Sequence, residues 1–133
     1  MKMKILIVED DMPVAMMLTY LLAQVGIETE AAATGQKAMQ MAADGNFDLI
    51  TLDADLPDVS GYEVCRRLRA NPFFQTPIVF VSGRPLEQDI RRGLELGAVD
   101  YIVKPFETFE FAPRLLSHLK AKTNSTATQE NTM

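Results

Sequence analysis

Cysteine, basic charge and long apolar segments are all scarce in this chain. Cys65 is its single cysteine, so an internal disulfide framework is excluded. A net charge of −5 over 133 residues argues against direct nucleic-acid binding, which usually needs a basic face. The apolar stretch near the amino end stops at three consecutive acids, too early for a membrane span, and lacks a signal peptide's cleavage region. We therefore expect a cytoplasmic protein that contacts no membrane.

The hydrophobic residues, 47% of the chain, are arranged as short apolar runs that alternate with helical patterns. Four runs are almost continuously apolar, as in parallel strands covered on both faces: 4–8, 48–53, 77–81 and 100–103. Residues 27–32 instead alternate apolar and charged side chains, which predicts a strand at the edge of the sheet. Helical spacing predicts five helices, at about 12–25, 34–44, 60–70, 86–96 and 107–121.

This alternation predicts a doubly wound α/β domain, (βα)5, with right-handed crossovers and five parallel strands. The domain should span residues 1–121. Residues 122–133 are polar without periodicity, which predicts a disordered tail or a truncated linker. Pro113 falls inside the last helical segment, so that helix should begin near Glu110 or bend at the proline.

Polar side chains stand where the apolar runs stop. They are Glu9 and Asp10 after the first run, Asp53 after the third, Ser82 at the fourth and Lys104 after the fifth. Ligands gather at the carboxyl ends of parallel strands, so these side chains should meet. Three carboxylates placed together repel one another unless a cation lies among them, and an oxygen-only set suits Mg²⁺ or Mn²⁺. We therefore expect a metal site.

Four segments of the sequence resemble one protein family. ILIVEDD, DLITLDADLPDVSGYEVCRRLR, PIVFVSG and GLELGAVDYIVKPF together resemble the receiver domain of two-component response regulators, over roughly residues 4–121. The resemblance implies the flavodoxin-like strand order 2-1-3-4-5, which the edge-like second strand supports independently. It also implies a phosphorelay protein that is phosphorylated and dephosphorylates itself, rather than a turnover enzyme.

The resemblance implies a role for each strand-end residue. Asp53 would accept the phosphoryl group of a phosphohistidine, on a sensor histidine kinase or a histidine phosphotransfer protein. Asp10 directly, Glu9 through water and the backbone carbonyl of Asp55 would hold the Mg²⁺ together with Asp53. Ser82 and Lys104 would each contact a phosphoryl oxygen.

The resemblance also implies how a signal leaves the domain. Tyr101 would turn inward when Ser82 moves, and the Lys104–Pro105 peptide bond would be cis. The face formed by the fourth helix, the fifth strand and the fifth helix would bind a downstream protein or an output domain. The chain would then be either a single-domain regulator or the receiver piece of a longer protein.

Separate predictions apply to four polar residues that do not end a strand. We hypothesise that Asp55 and Arg84, two residues beyond Asp53 and Ser82, form an ion pair that gates access to the phosphoryl group. Asp58 precedes a predicted helix and should be a cap or turn residue. His118, beside Ser117 and Lys120, should be a solvated helix residue.

Two other functions are compatible with parts of the sequence. TLDADLP resembles the loop of haloacid-dehalogenase-type phosphatases, in which Asp53 would be the nucleophile and the Asp55 side chain a general acid and base. That family usually places this loop on its first strand, whereas here the acidic pair precedes it. The second alternative is a scaffold function, in which the receiver fold acts without being phosphorylated.

Overall fold

The computed structural model describes residues 2–119, which form one parallel β-sheet covered by helices on both faces. Five strands make up the sheet: β1 (Lys4–Val8), β2 (Glu28–Ala32), β3 (Leu49–Leu52), β4 (Ile78–Ser82) and β5 (Asp100–Val103). They lie in the order β2-β1-β3-β4-β5, and all neighbouring pairs are parallel. Only β2, at the edge beside β1, is largely exposed, so the predicted order and the predicted edge strand are both confirmed.

Five helices connect and follow the strands: α1 (Met12–Ala23), α2 (Gly35–Asp44), α3 (Gly61–Arg69), α4 (Glu87–Glu95) and α5 (108–119). Side-chain oxygens cap three of them, because Asp11, Thr34 and Ser60 each accept a hydrogen bond from a backbone N–H in the first turn. Pro13 lies at the start of α1, where a missing N–H costs little.

The core consists of two apolar clusters, one on each face of the sheet. Side chains such as Leu18 of α1 and Leu115 of α5 pack on Ile7 and its neighbours on one face. Helices α2, α3 and α4 cover the other face, where Phe80 of β4 is fully buried. This doubly wound arrangement leaves the carboxyl ends of the strands open between the helices.

Helical spacing predicts that Val25 in the first helical segment and Leu94 in the fourth face the core, but both are exposed. Val25 is 45% exposed, because α1 ends at Ala23 and the helical period does not extend beyond it. Leu94 is 44% exposed, because α4 turns the neighbouring Gly93 toward the sheet. The periodicity fails at Val25 because this residue lies two positions past the end of α1, and at Leu94 because its neighbour Gly93 takes the buried position.

The last helix begins ahead of its proline, which is the sixth of its twelve described residues. It begins at residue 108, where the N–H of Glu110 donates to the carbonyl of Glu107 at 3.0 Å, and it continues through Pro113 to residue 119. The predicted boundary at residue 121 and the predicted tail at 122–133 lie outside the described residues. Within residues 2–119, no helix has both the length and the apolar character that crossing a membrane requires.

Candidate functional site

The carboxyl ends of four strands bring the predicted site residues to one edge of the sheet. Glu9 follows β1, Asp53 follows β3, Ser82 ends β4 and Lys104 follows β5. The sheet hydrogen bonds continue into the site, since the N–H of Asp53 donates to Val8 at 3.0 Å and that of Lys104 donates to Ser82 at 2.8 Å. The backbone of each functional residue is therefore held by the neighbouring strand.

Three carboxylates meet at this edge. Glu9, Asp10 and Asp53 each offer an oxygen, and these oxygens all lie within 4.8 Å of one another. Glu9 and Asp53 are only 4% and 6% exposed, whereas Asp10 faces solvent. Burial raises the pKa of Glu9, and the neighbouring Asp53 raises it further against the opposing effect of Lys104. A compact set of oxygen ligands, partly buried and mutually repelling, fits a divalent cation such as Mg²⁺.

Lys104 lies between two of the acids. Its Nζ is 2.7 Å from Glu9 Oε1 and 3.2 Å from Asp53 Oδ2. Burial by itself would lower the pKa of Lys104, but the two carboxylates raise it above its usual value, so the ammonium stays charged. The peptide bond from Lys104 to Pro105 is cis, as predicted.

Asp55 and Arg84 meet at the rim of the acidic cluster. Two guanidinium nitrogens of Arg84 lie 2.9 and 2.7 Å from Asp55 Oδ1, so the predicted ion pair is present. The N–H of Asp55 donates to Asp53 Oδ1 at 3.0 Å, which helps to orient that carboxylate. The N–H of Arg84 donates to Ser82 Oγ at 3.2 Å. One ion pair thus links the segments that follow β3 and β4.

Tyr101 has its side chain turned into the protein. It is 5% exposed, and its hydroxyl donates to the carbonyl of Arg84 at 3.0 Å. The Tyr62 hydroxyl lies 3.1 Å away. The inward ring is therefore connected to the segment that follows Ser82 at the end of β4.

Two contributors to the site were not singled out from the sequence, Gly61 and Tyr62. A Cβ on Gly61 would lie 2.1 Å from the carbonyl oxygen of Asp53, so only glycine lets α3 approach the Asp53 backbone this closely. A glycine directly after the capping Ser60 is the signal that could have shown it, since glycine inside a helix is unfavourable without such a reason. The Tyr62 contact joins elements far apart in the sequence and leaves no such signal.

Two acids and a histidine stand outside the cluster. Asp58 accepts hydrogen bonds from the N–H groups of Gly35 and Gln36, at 2.8 and 2.9 Å. Asp58 therefore caps α2, a helix that is distant in the sequence. These hydrogen bonds lower the pKa of the Asp58 carboxyl group. His118 was expected to be solvated, but it is partly buried and its Nε2 lies 2.9 Å from Asp100 Oδ2, because β5 and α5 lie side by side.

A comparison with family models matches residues 5–116 to the response regulator receiver domain. This chain belongs to that family. The described fold agrees, with the strand order 2-1-3-4-5 and the acidic cluster at the carboxyl edge of the sheet.

Relatives and solved structures agree with this assignment. The DNA-binding response regulator MtrA of Mycobacterium tuberculosis is 38% identical over 120 residues, which are 90% of this chain and 52% of MtrA. A putative response regulator from Chloroflexus aurantiacus has 35% identity and a TM-score of 0.85, covering 90% of this chain and 99% of that one. The BeF₃-activated receiver domain of Klebsiella pneumoniae RstA has 33% identity and a TM-score of 0.82, covering 87% and 97%. The chain thus spans about half the length of the curated relatives it matches.

The family assignment decides between the functions that the sequence left open. The chain is a phosphorelay receiver, and neither the phosphatase nor the unphosphorylated scaffold is favoured. The geometry agrees, because the Asp55 carboxylate is engaged with Arg84 and the acidic pair directly follows β1, ahead of the Asp53 strand in the sequence.

Proposed function

We propose that this chain accepts a phosphoryl group from a phosphohistidine onto Asp53, in a site that binds Mg²⁺, and that it then alters a protein-binding surface. One observation carries the proposal. The Asp53 carboxylate lies beside two further acids and 3.2 Å from the ammonium of Lys104. This combination supplies an oxygen nucleophile, ligands for a cation and a fixed positive charge in a single small site.

The transfer forms a bond between an Asp53 carboxylate oxygen and phosphorus while the phosphorus–nitrogen bond of the donor histidine breaks. Glu9, Asp10, Asp53 and the backbone carbonyl of Asp55 would hold Mg²⁺, which when bound supplies positive charge to the phosphoryl oxygens. Lys104 supplies a second positive charge from the β5 side. The Ser82 oxygen accepts from the Arg84 N–H, so its own hydrogen is available for a phosphoryl oxygen.

The resulting acyl phosphate makes contacts that a free aspartate cannot make. Ser82 and Lys104 would bind it, and the Tyr101 hydroxyl donates to the carbonyl of Arg84, two residues after Ser82. Only such differential contacts can shift a two-state equilibrium, so these residues are the expected switch. The surface that responds is the one made by α4, β5 and α5.

The partners follow from this chemistry. The donor is a sensor histidine kinase or a histidine phosphotransfer protein, and the recipient is a downstream protein or an output domain. MtrA is named as a DNA-binding regulator and is about twice this length. In a longer protein of that kind, DNA binding would belong to a separate output domain and not to this acidic receiver. The domain spans residues 1–121 in this proposal.

Labelling by a small acyl phosphate tests the proposal. We expect intact-mass spectrometry to show one phosphoryl group per chain with Mg²⁺, and none after chelation with EDTA. Asp53→Asn should abolish the label, while Asp44→Asn, which removes an exposed acid at the end of α2, should leave it unchanged. Labelling that persists in Asp53→Asn would contradict the assignment of the acceptor.

The same preparation distinguishes the two less favoured functions. Asp55→Asn should remain labelled, because the proposal uses only the main chain of Asp55. Sustained hydrolysis of a small phosphomonoester that is lost in this variant would instead indicate the phosphatase chemistry. Absence of label with every donor, together with partner binding that is unchanged in Asp53→Ala, would indicate a scaffold.

We further propose that the Asp55–Arg84 ion pair gates the phosphoryl group. Two contacts support this: the Asp55 N–H donates to Asp53 Oδ1, and the Arg84 N–H donates to Ser82 Oγ, so the half-exposed pair joins the residues next to the proposed site. It would limit the approach of the water that hydrolyses the acyl phosphate.

A further inference from the structure

Three aromatic rings form a buried stack beneath α4. The Tyr62 and Phe80 ring centroids are 5.1 Å apart, and those of Phe80 and Tyr101 are 5.5 Å apart. All three side chains are at most 5% exposed. The guanidinium carbon of Arg92 lies 4.3 Å from the centroid of Tyr62. The Tyr62 ring is therefore held by its packing, independently of its hydroxyl.

The two tyrosine hydroxyls take part in three contacts but have only two hydrogens. Tyr101 Oη lies 3.0 Å from the carbonyl of Arg84, the two hydroxyl oxygens are 3.1 Å apart, and Tyr62 Oη lies 3.2 Å from the carbonyl of Asp89. A phenol donates one hydrogen bond and carbonyl oxygens donate none, so only two of the three contacts are hydrogen bonds at one time.

One assignment of these hydrogens joins the two tyrosines in a chain. The two shorter contacts are both satisfied when Tyr101 donates to Arg84 and Tyr62 donates to Tyr101. Hydrogen bonds in such a chain strengthen one another, since a hydroxyl that accepts becomes a better donor. Burial and the bond with Tyr101 raise the pKa of Tyr62, so its hydroxyl keeps its hydrogen.

Helix α4 has a glycine at the position where it meets the rings of Phe80 and Tyr101. A Cβ on Gly93 of α4 would lie 2.9 Å from Phe80 and 3.0 Å from Tyr101. The absence of a side chain at this position lets α4 lie directly over the inward Tyr101. The packing of α4 and the hydroxyl chain thus favour the same orientation.

We propose that Tyr62 is a positioning residue that holds Tyr101 in its inward orientation before any phosphorylation, by donating a hydrogen bond to the Tyr101 hydroxyl. The orientation itself is independent of the proposed function. The consequence for signalling rests on the proposed role of Tyr101, because a resting protein whose switch residue is already inward has a higher basal population of the partner-binding form.

Tyrosine-selective NMR of the unphosphorylated protein tests this proposal, since the chain has only three tyrosines. With ¹³C-labelled tyrosine rings, the Tyr101 signals should be displaced from those of the exposed Tyr20 by the ring current of Phe80. In Tyr62→Phe the ring stays and the donor is lost, so the ratio of inward to outward Tyr101 should fall about threefold to tenfold. The Tyr101 signals should then move toward the position of an exposed tyrosine. Tyr20→Phe is the matched control and should leave them in place.

A double-mutant cycle supplies a second readout. Unfolding equilibrium constants of wild type, Tyr62→Phe, Tyr101→Phe and the double variant should be non-additive by about threefold or more, because each single change removes the same bond. Support requires both a moved Tyr101 signal and a non-additive cycle. An unmoved signal, or a cycle that is additive within about twofold, would overturn the proposal.

Beryllofluoride with Mg²⁺ separates this inference from the proposed function. It should return the Tyr101 signals of Tyr62→Phe to their wild-type position if Tyr101 responds to an occupied acceptor. The Tyr62→Phe substitution could move the Tyr101 signals while beryllofluoride moves them in neither protein. That result would support the hydrogen bond from Tyr62 and would refute the switch role of Tyr101.

Discussion

Breaking the ion pair between Asp55 and Arg84 should shorten the lifetime of the acyl phosphate on Asp53. The pair stands at the rim of the site, and the Arg84 backbone is fixed by Ser82 and Tyr101. Without the pair, water reaches the phosphoryl group by a wider path. Asp55→Asn and Arg84→Ala should therefore both accelerate hydrolysis.

The exposure of the pair limits the size of this effect. The side chains of Asp55 and Arg84 are 57% and 49% exposed, so solvent screens their attraction and the closed arrangement is only moderately favoured. We expect each variant to shorten the lifetime by about twofold to fivefold rather than by orders of magnitude. The difference from wild type should shrink as the salt concentration rises, because screening opens the wild-type pair as well.

Decay of the label measures this directly. The protein is phosphorylated by a small acyl phosphate, freed from the donor by gel filtration, and followed by intact-mass spectrometry with Mg²⁺ present. The Asp55→Asn/Arg84→Ala double variant should decay no faster than the faster single variant, because both changes remove one contact. Arg66→Ala, which removes an exposed arginine paired with Glu63 on α3, should decay like wild type. Unchanged lifetimes in both single variants would refute the gate.

Three further predictions concern what holds the site in place. In residues 2–119, Thr51 Oγ1 in β3 is buried without a hydrogen-bond partner, so Thr51→Val should raise the free energy of unfolding by about 1–2 kcal/mol in urea titrations, whereas Thr51→Ser should lower it. Gly61→Ala should lower stability by about 1–3 kcal/mol and slow the labelling of Asp53, because its Cβ would displace the acceptor backbone; normal labelling would contradict this. Burial would raise the pKa of Asp100, but Arg114 and His118 lower it below its usual value. Its ion pair with Arg114 and its hydrogen bond with His118 therefore stabilise the fold above pH ~4, and this stabilisation is lost as the pH falls through the folded-state pKa, so Asp100→Asn should lose less stability than wild type between pH 7 and pH 3. Equal losses of stability in the two proteins would contradict the stabilising role of the Asp100 carboxylate.

Strand ends were predictable because burial leaves a strong local pattern. A strand covered on both faces reads as a continuous apolar run, and the first polar residue after it marks the carboxyl edge of the sheet. Glu9, Asp53 and Lys104 were located in this way, and the structure places them in contact. The alternation in residues 27–32 likewise identified the edge strand.

Contacts between distant elements left no comparable pattern. Tyr62 meets Tyr101 39 residues away, and His118 meets Asp100 across the interface of β5 and α5. Asp58 was expected to act near its own helix, yet its carboxylate reaches the beginning of α2. Such pairings depend on how the helices lie on the sheet, to within an ångström, and the period of a helix does not contain that information.

The segment between β3 and α3 shows how a loop can hold a reactive carboxylate in a fixed place. At one end the N–H of Asp53 is bonded to β1, and at the other the N–H of Gly61 donates to Ala54 at 2.8 Å, closing the segment on itself. Between them Asp58 anchors it to α2, and Asp55 is tied to Arg84. If Asp53 is the nucleophile, as proposed, attachment at these points means that it loses little entropy on reaching the in-line geometry of phosphoryl transfer. In the proposed transfer, the acids around Asp53 thus contribute by immobilising its carboxylate as well as by their charge.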